Sequence, residues 1–209
     1  MFIVKEGYPF IGAALAATLL VYFVFGAFWA VIPLVLTLYF AYFFRDFHRN
    51  MPYDPNILYS PADGTVMSVE EIFDNEYLNE PAYKIVIFLS VFNVHTNRSP
   101  LDGEIKYQSY TCGQFVPAYE KDASFENERH AIGIDNGRLR LLVIQVAGIL
   151  ARRIVSWVTL GYQLKQGETY GMIKFGSSTE LIVPRNVEIT VKKGQAVVGG
   201  VTVVGRIES

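Results

Sequence analysis

The dipeptide Gly176-Ser177 gives this chain the means to react with itself. A serine hydroxyl can attack the carbonyl of the residue before it and turn an amide into an ester. Gly176 has no side chain to shield that carbonyl, and it tolerates backbone conformations closed to other residues. Strain held at such a turn assists an acyl shift. The dipeptide sits within Phe175-Gly176-Ser177-Ser178, after Gly167 and Gly171 and before the apolar run Leu181-Ile182-Val183, which Pro184 closes. Gly-Ser is equally the composition of a plain turn before a strand, so the pair gains weight only from the residues that accompany it.

Two further residues supply the remaining parts of a nucleophile, base and acid set. His95 follows the apolar Val91-Phe92-Asn93-Val94 and enters the polar Thr96-Asn97-Arg98-Ser99-Pro100. It reads either as a satisfied structural histidine or as a general base facing a cleft. Asp63 lies in the turn Ser60-Pro61-Ala62-Asp63-Gly64, as a turn-stabilising carboxylate or as one that orients a base. Arg98, Arg152 and Arg153 are candidates for a phosphate or carboxylate, because a guanidinium offers a two-pronged donor. The other histidines read as bystanders: His48 as solvated, His130, after Glu126-Asn127-Glu128-Arg129, as a surface or hydrogen-bonded loop residue. The single cysteine, Cys112, rules out an intrachain disulfide and reads as a small buried apolar residue. One Cys and three scattered His give no zinc spacing, so no metal is expected. There is no phosphate loop, no dinucleotide fingerprint and no Gly-x-Ser-x-Gly elbow.

These residues must be positioned by short strands. Thr65–Val69, Lys84–Leu89, Gly103–Tyr107, Ala131–Ile134 and Leu139–Val146 have strand composition, and Asn136-Gly137 between the last two is a hairpin signal. Residues 148–155 read as a further strand or a turn of helix, and Val187 to Ile207 alternates valines and glycines around Lys192-Lys193-Gly194. The expectation is a mainly β domain over 51–209, a sandwich or partly closed barrel with little helix.

The first 50 residues are different. From Phe10 to Phe44 there is no Asp, Glu, Lys or Arg. As one helix this stretch would run about 50 Å at ~1.5 Å per residue, against a hydrocarbon core of about 30 Å. Two passes broken near Gly26, or a hairpin dipping into one leaflet, fit better, with Pro33 as a kink. Trp29, Tyr39 and Tyr42 suit an interface or ordinary packing. The stretch is too long, and the flank of Lys5 and Glu6 too weakly basic, for a cleaved signal peptide. Arg45 and Arg49 after it predict a cytoplasmic main domain on a cell membrane. A net charge of −2 gives no reason to expect nucleic acid as a partner.

Taken in order, Phe44-Arg45-Asp46, Ser60-Pro61-Ala62-Asp63-Gly64, Asn93-Val94-His95, Asn97-Arg98-Ser99-Pro100, Ala147-Gly148, Arg152-Arg153-Ile154-Val155 and Gly171-Met172-Ile173-Lys174-Phe175-Gly176-Ser177-Ser178 resemble the phosphatidylserine decarboxylase family in its short membrane-associated form. The resemblance implies a proenzyme that Ser177 cuts after Gly176, giving a β chain, 1–176, and an α chain, 177–209, that stay associated. It implies a covalent pyruvoyl group made from Ser177, a Schiff base with the amine of phosphatidylserine, and release of CO2 to leave phosphatidylethanolamine. In relatives, an Asp matching Asp63 and a His in the segment matching His95–Arg98 assist the self-cleavage. Some relatives carry two His three residues apart where this chain has His95 and Arg98, and some read Gly-Ser-Thr for Gly176-Ser177-Ser178. An archaetidylserine decarboxylase would use the same headgroup chemistry. From other classes, the C-terminal Val/Gly pattern is similar to lipoyl- or biotinyl-type carriers, so a non-catalytic membrane-anchored module is a rival, as is a serine hydrolase. A homo-oligomer is compatible with the chain, and acyl-chain preference is not encoded legibly.

Overall fold

The computed structural model describes residues 1–113, 127–148, 153–174 and 177–207, and it divides into two compact units, Met1–His48 and Arg49–Ser209. In the first unit, α1 (Tyr8–Phe25) and α2 (Ala27–Phe43) fill the uncharged stretch. Gly26 separates them with φ +86°, a conformation that ends a helix readily only at glycine. The chain therefore breaks where the sequence predicts. Pro9 lies in the first turn of α1, where its missing N–H is harmless. The helices run antiparallel. The Phe10 ring packs on Phe40 and Phe44 at centroid separations of 5.7 and 5.2 Å, and the Thr18 and Thr37 hydroxyls meet at 3.2 Å. Each hydroxyl sits within 2.8 Å of the carbonyl four residues back, Ala14 and Pro33, which keeps it satisfied in apolar surroundings. Lys5–Phe25 is long and apolar enough to cross a membrane, and Ala27–Phe43 is an equally apolar but shorter helix. Phe23, Phe25, Phe28 and Ile32 all face outward. At 18 residues, α1 spans about 27 Å, close to a hydrocarbon core. β1 (Phe2–Ile3) and β2 (Arg45–Asp46) pair antiparallel and close the base of the hairpin.

The second unit is mainly β, as expected. Its large sheet contains β4 (Gly64–Asp74), β5 (Glu80–Leu89), β7 (Gly103–Thr111), β8 (Arg129–Asp135), β9 (Arg140–Ala147), β11 (Gln163–Leu164), β13 (Ser177–Pro184) and β15 (Ala196–Val197). Their spatial order is β11-β7-β8-β9-β13-β5-β4-β15, antiparallel throughout. β8 and β9 form the predicted hairpin, with Gly137 at φ +81° and the Asn136 side chain accepting the Leu139 amide at 2.9 Å. Two three-stranded sheets accompany it. One is β6 (Thr96–Arg98), β10 (Arg153–Ser156) and β12 (Thr169–Lys174), in the order β10-β12-β6; the other is β3 (Ile57–Tyr59), β14 (Val187–Ile189) and β16 (Val203–Ile207), in the order β14-β16-β3.

The main core lies on one face of the large sheet. Leu181, Val183, Val143, Leu141, Ile132, Ile134, Ile85 and Ile87 are buried there. Leu142, Ile144, Val146, Ala131 and Ile182, the alternate residues of the same strands, pack on the other face with Leu78. Both faces being covered explains why these strands read as continuous apolar runs. One sequence expectation fails here. Cys112 is exposed just past the end of β7, where that strand leaves the sheet, rather than buried.

Candidate active site

Antiparallel order brings the residues of interest to one end of the large sheet. β13 begins where β5 ends, since Ser177 pairs with Leu89. Ser177 also pairs with Ala147, the last residue of β9, whose amide donates to the Glu128 carbonyl at 2.9 Å. On the other side, β4 begins at Gly64 and pairs there with Val197 of β15. A side chain at Gly64 would collide with the Phe88 carbonyl, which explains the glycine after Asp63. The segments holding Asp63, Ser90–His95, Gly148 and Val198–Gly200 therefore all leave the same edge as Ser177.

Ser177 is fully buried, and its Oγ has no hydrogen-bond partner among the described residues. Residues two apart on a strand share a face. Three layers follow along the core face. Leu181, Val143 and Ile132 belong to the apolar core; Thr179, Gln145 and His130 form a polar row; Ser177 and Ala147 form the last row. Ala147 packs with Ile154 and Ile173, so the ends of β10 and β12 lie over this last row.

His95 lies on this cover, at the entry to β6. It is fully buried, its Nδ1 is 3.0 Å from the Asn93 carbonyl, and its own carbonyl accepts the Ile173 amide at 3.1 Å. Ile173 precedes Ser177 by four residues, so the histidine segment is bonded to the chain entering the Gly176-Ser177 step. Two residues on, Asn97 donates to Thr179 Oγ1 at 2.7 Å and accepts from Gln145 Nε2 at 2.8 Å.

Asp63 is at the same end but makes a different pairing from the one its Ser-His-Asp reading suggests. Its Oδ1 and Oδ2 receive Arg49 Nη1 and Nη2 at 2.6 and 2.9 Å, and Oδ1 also accepts the Gly199 amide at 2.8 Å. Arg49 Nη1 donates as well to the Gly199 carbonyl. Arg98 is buried, with Nη1 3.2 Å from the Gly167 carbonyl. Arg153 is exposed at the start of β10, paired in register with Lys174. Gly176 and Arg152 lie outside the described residues. At the far side of the row, Glu128 Oε1 accepts the Ile154 amide at 3.1 Å and the Tyr110 hydroxyl at 2.6 Å. That bond, then burial and the carboxylate's charge, pushes the Tyr110 phenol up to about 12.

His130 is not a surface or loop residue. It is 3% exposed within β8, between Gln145 Oε1 at 3.0 Å and Gln108 Nε2 at 2.9 Å. Burial pushes its imidazole below the usual 6.5, against the opposing effect of the Gln145 bond. Sequence reasoning also passed over Asn97, Thr179, Gln145 and Arg49. The available signal was a lone glutamine inside the apolar run Leu141–Val146.

Residues 36–205 match the family model described as phosphatidylserine decarboxylase. A phosphatidylserine decarboxylase proenzyme of Carboxydothermus hydrogenoformans is 49% identical over 183 residues, covering 87% of this chain and 86% of that protein. The proteins of the same name from Symbiobacterium thermophilum and Syntrophus aciditrophicus are 44% and 42% identical, each covering 98% of this chain and 95% and 97% of the relative.

Proposed function

The chain belongs to the phosphatidylserine decarboxylase family, and from that membership we propose that it is a self-processing carboxy-lyase that converts phosphatidylserine to phosphatidylethanolamine and CO2 at a membrane. The observation that carries the reading is the buried Ser177 Oγ at the head of β13, which has no hydrogen-bond partner among the described residues. A buried hydroxyl without a partner is unfavourable by roughly 1–3 kcal/mol, which selection tolerates where the group is there to react. It also suits the pyruvoyl group expected from this serine, because a ketone carries no donor to satisfy.

Ser177 Oγ adds to the Gly176 carbonyl carbon, and the C–N bond breaks as nitrogen takes a proton. The ester so formed is opened by loss of the Ser177 Cα proton and departure of the Gly176 carboxylate from Cβ. Water then replaces the nitrogen of the resulting dehydroalanine, and ammonia leaves. His95 is the candidate for carrying the hydroxyl proton to the departing nitrogen, since its segment is bonded at Ile173 to the chain that enters the cut. Asp63, held by Arg49 and the Gly199 amide at the same end, is the candidate acid that assists the cut. The pyruvoyl group supplies an electron sink for the pair left behind when CO2 departs. His95 then returns a proton to the former α-carbon. Arg152 and the exposed Arg153 bind the anionic headgroup, with Arg98 adding positive potential from within.

The apolar N-terminal hairpin supports a membrane-held enzyme whose catalytic unit faces the cytoplasm, on the basis of Arg45 and Arg49. Holding the domain at the interface lets the acyl chains stay in the bilayer; exposing them would cost about 0.8 kcal/mol per CH2. The α and β chains remain together because β13 is paired on both sides.

The test is the full chain expressed with Ser177→Ala. It stays a single polypeptide on a denaturing gel and releases no CO2 from phosphatidylserine vesicles, while the unaltered chain gives two fragments, the smaller one blocked at its N-terminus by a ketone. Cutting of the Ser177→Ala chain, or full activity from an uncut one, overturns the reading.

A further inference from the structure

We infer that the half-buried Gln108 and the buried side chains His130, Gln145, Asn97 and Thr179 form a positioning device that locks the His95 segment onto the strand headed by Ser177. The inference rests on the processing role proposed for Ser177 and extends it to residues as far as three strands away.

The chain of hydrogen bonds has one direction. Gln145 Nε2 donates to Asn97 Oδ1 at 2.8 Å, and Asn97 Nδ2 donates to Thr179 Oγ1 at 2.7 Å. Gln145 Oε1 is then the acceptor for His130 Nδ1 at 3.0 Å, which makes the imidazole a neutral Nδ1–H tautomer. His130 Nε2, left with a lone pair, accepts from Gln108 Nε2 at 2.9 Å. Turning any one amide would set donor against donor or acceptor against acceptor. Asn97, Gln145 and Thr179 are fully buried, so such a turn has no water to repair it.

What this lock holds is a short edge element. β6 has three residues and pairs only with β12 in its sheet. Its attachment to the large sheet runs through Asn97, which reaches Thr179 from two residues beyond His95. Thr179 in turn is two residues beyond Ser177 on the same face of β13. The bond therefore ties the two proposed reacting residues together at equal remove. Room for it is made by Gly171, the register partner of Asn97, where a Cβ would lie 3.1 Å from Gln145 Nε2 and 2.5 Å from the Val155 carbonyl. The polar row occupies one layer between the apolar core and Ser177, where aliphatic side chains would fill space as well but would supply no bond from β6 to β13.

Thr179→Val is the test, because valine keeps the shape and strand preference of threonine and removes only the hydroxyl. The full-length chain is synthesised as precursor, and conversion to two fragments is followed on denaturing gels. Thr179→Val slows conversion by about tenfold to a hundredfold, the range for a reacting group displaced by an ångström. Thr179→Ser, which restores the hydroxyl, converts within about threefold of the unaltered chain, less than half a factor of ten in barrier terms. In chains kept uncut by Ser177→Ala, the urea midpoint of Thr179→Val falls by about 0.5–1.5 M, as one stranded buried donor requires, and the chain stays fully folded in water. Conversion of Thr179→Val at the normal rate overturns the inference. So does equal slowing by Val and Ser, or a fall in midpoint large enough to unfold the chain in water. Cutting of the Ser177→Ala chain is a separate result: it removes the proposed role of Ser177 rather than the lock.

Discussion

Replacing Arg49 with Met tests the pairing that anchors the Asp63 turn. The guanidinium meets both Asp63 oxygens, at 2.6 and 2.9 Å, and the two side chains are 8% and 16% exposed. An exposed ion pair contributes about 0–1 kcal/mol, whereas removing one partner of a buried pair is destabilising by about 3–5 kcal/mol. Asp63 would keep the Gly199 amide, 2.8 Å from Oδ1, so the lower end applies, about 3 kcal/mol. With a urea slope of about 2 kcal/mol per molar, the midpoint should fall by about 1.5 M. The assay is urea titration of the full chain in detergent micelles, held uncut by Ser177→Ala, carrying Trp29→Phe in every variant and followed by the fluorescence of Trp157. Asp63→Asn and the double variant complete a cycle. The double variant should be less damaging than the sum of the singles by more than about 1 kcal/mol, because each single strands the other's charge. A cost for Arg49→Met below about 1 kcal/mol, or additivity within about 0.5 kcal/mol, would refute the idea that this pair is a buried anchor.

Gly171→Ala should destabilise the catalytic unit by about 1–3 kcal/mol through overpacking and slow self-cleavage with it, since the obstructing Val155 carbonyl, 2.5 Å from the new Cβ, is backbone; unchanged unfolding and cleavage would show that β10 and β12 part easily. His130 sets a pH dependence. Its folded value lies below 6.5, so the unfolded chain takes up a proton that the folded one refuses, and stability falls as pH drops below about 6.5 and is fully present above it. The slope contributed is at most about 1.4 kcal/mol per pH unit, and urea midpoints between pH 5.5 and 6.5 should be flatter for His130→Gln than for the unaltered chain.

The legible parts of this protein are those decided by near neighbours in sequence. Gly26 ends a helix because of its own φ, and Asn136-Gly137 turns a hairpin through its own side chain and backbone. The apolar runs around Ile85 and Val143 read as strands because both faces of the sheet are covered. Asp63, His95 and Ser177 were recognisable as types, and antiparallel order delivers them to one edge. Their partners were not recognisable. Asp63 is bound by an arginine that reads from sequence as a membrane flank, and Asn97 is bound by a glutamine 48 positions away. Such choices depend on which strands become neighbours. His130 misleads for the same reason: the charged run before it suggests a surface loop, yet Asn127 and Glu128 are themselves buried, against the Ala147 carbonyl and the Ile154 amide. Cys112 misleads in the opposite direction, because average behaviour predicts burial and its position past the end of β7 decides otherwise.

The central place of β13 sets an order of events. The strand is bonded through eight register pairs to β5 and through six to β9, segments that lie far earlier in the chain. Ser177 acquires its buried setting only when that whole assembly has closed. Under the proposed processing, folding comes first and self-cutting second, and a misfolded chain would make no pyruvoyl group: maturation would double as a quality check. The amino terminus that the proposed cut would produce is likewise unusual. Most chain ends fray, but this one would begin inside a strand clasped on both sides.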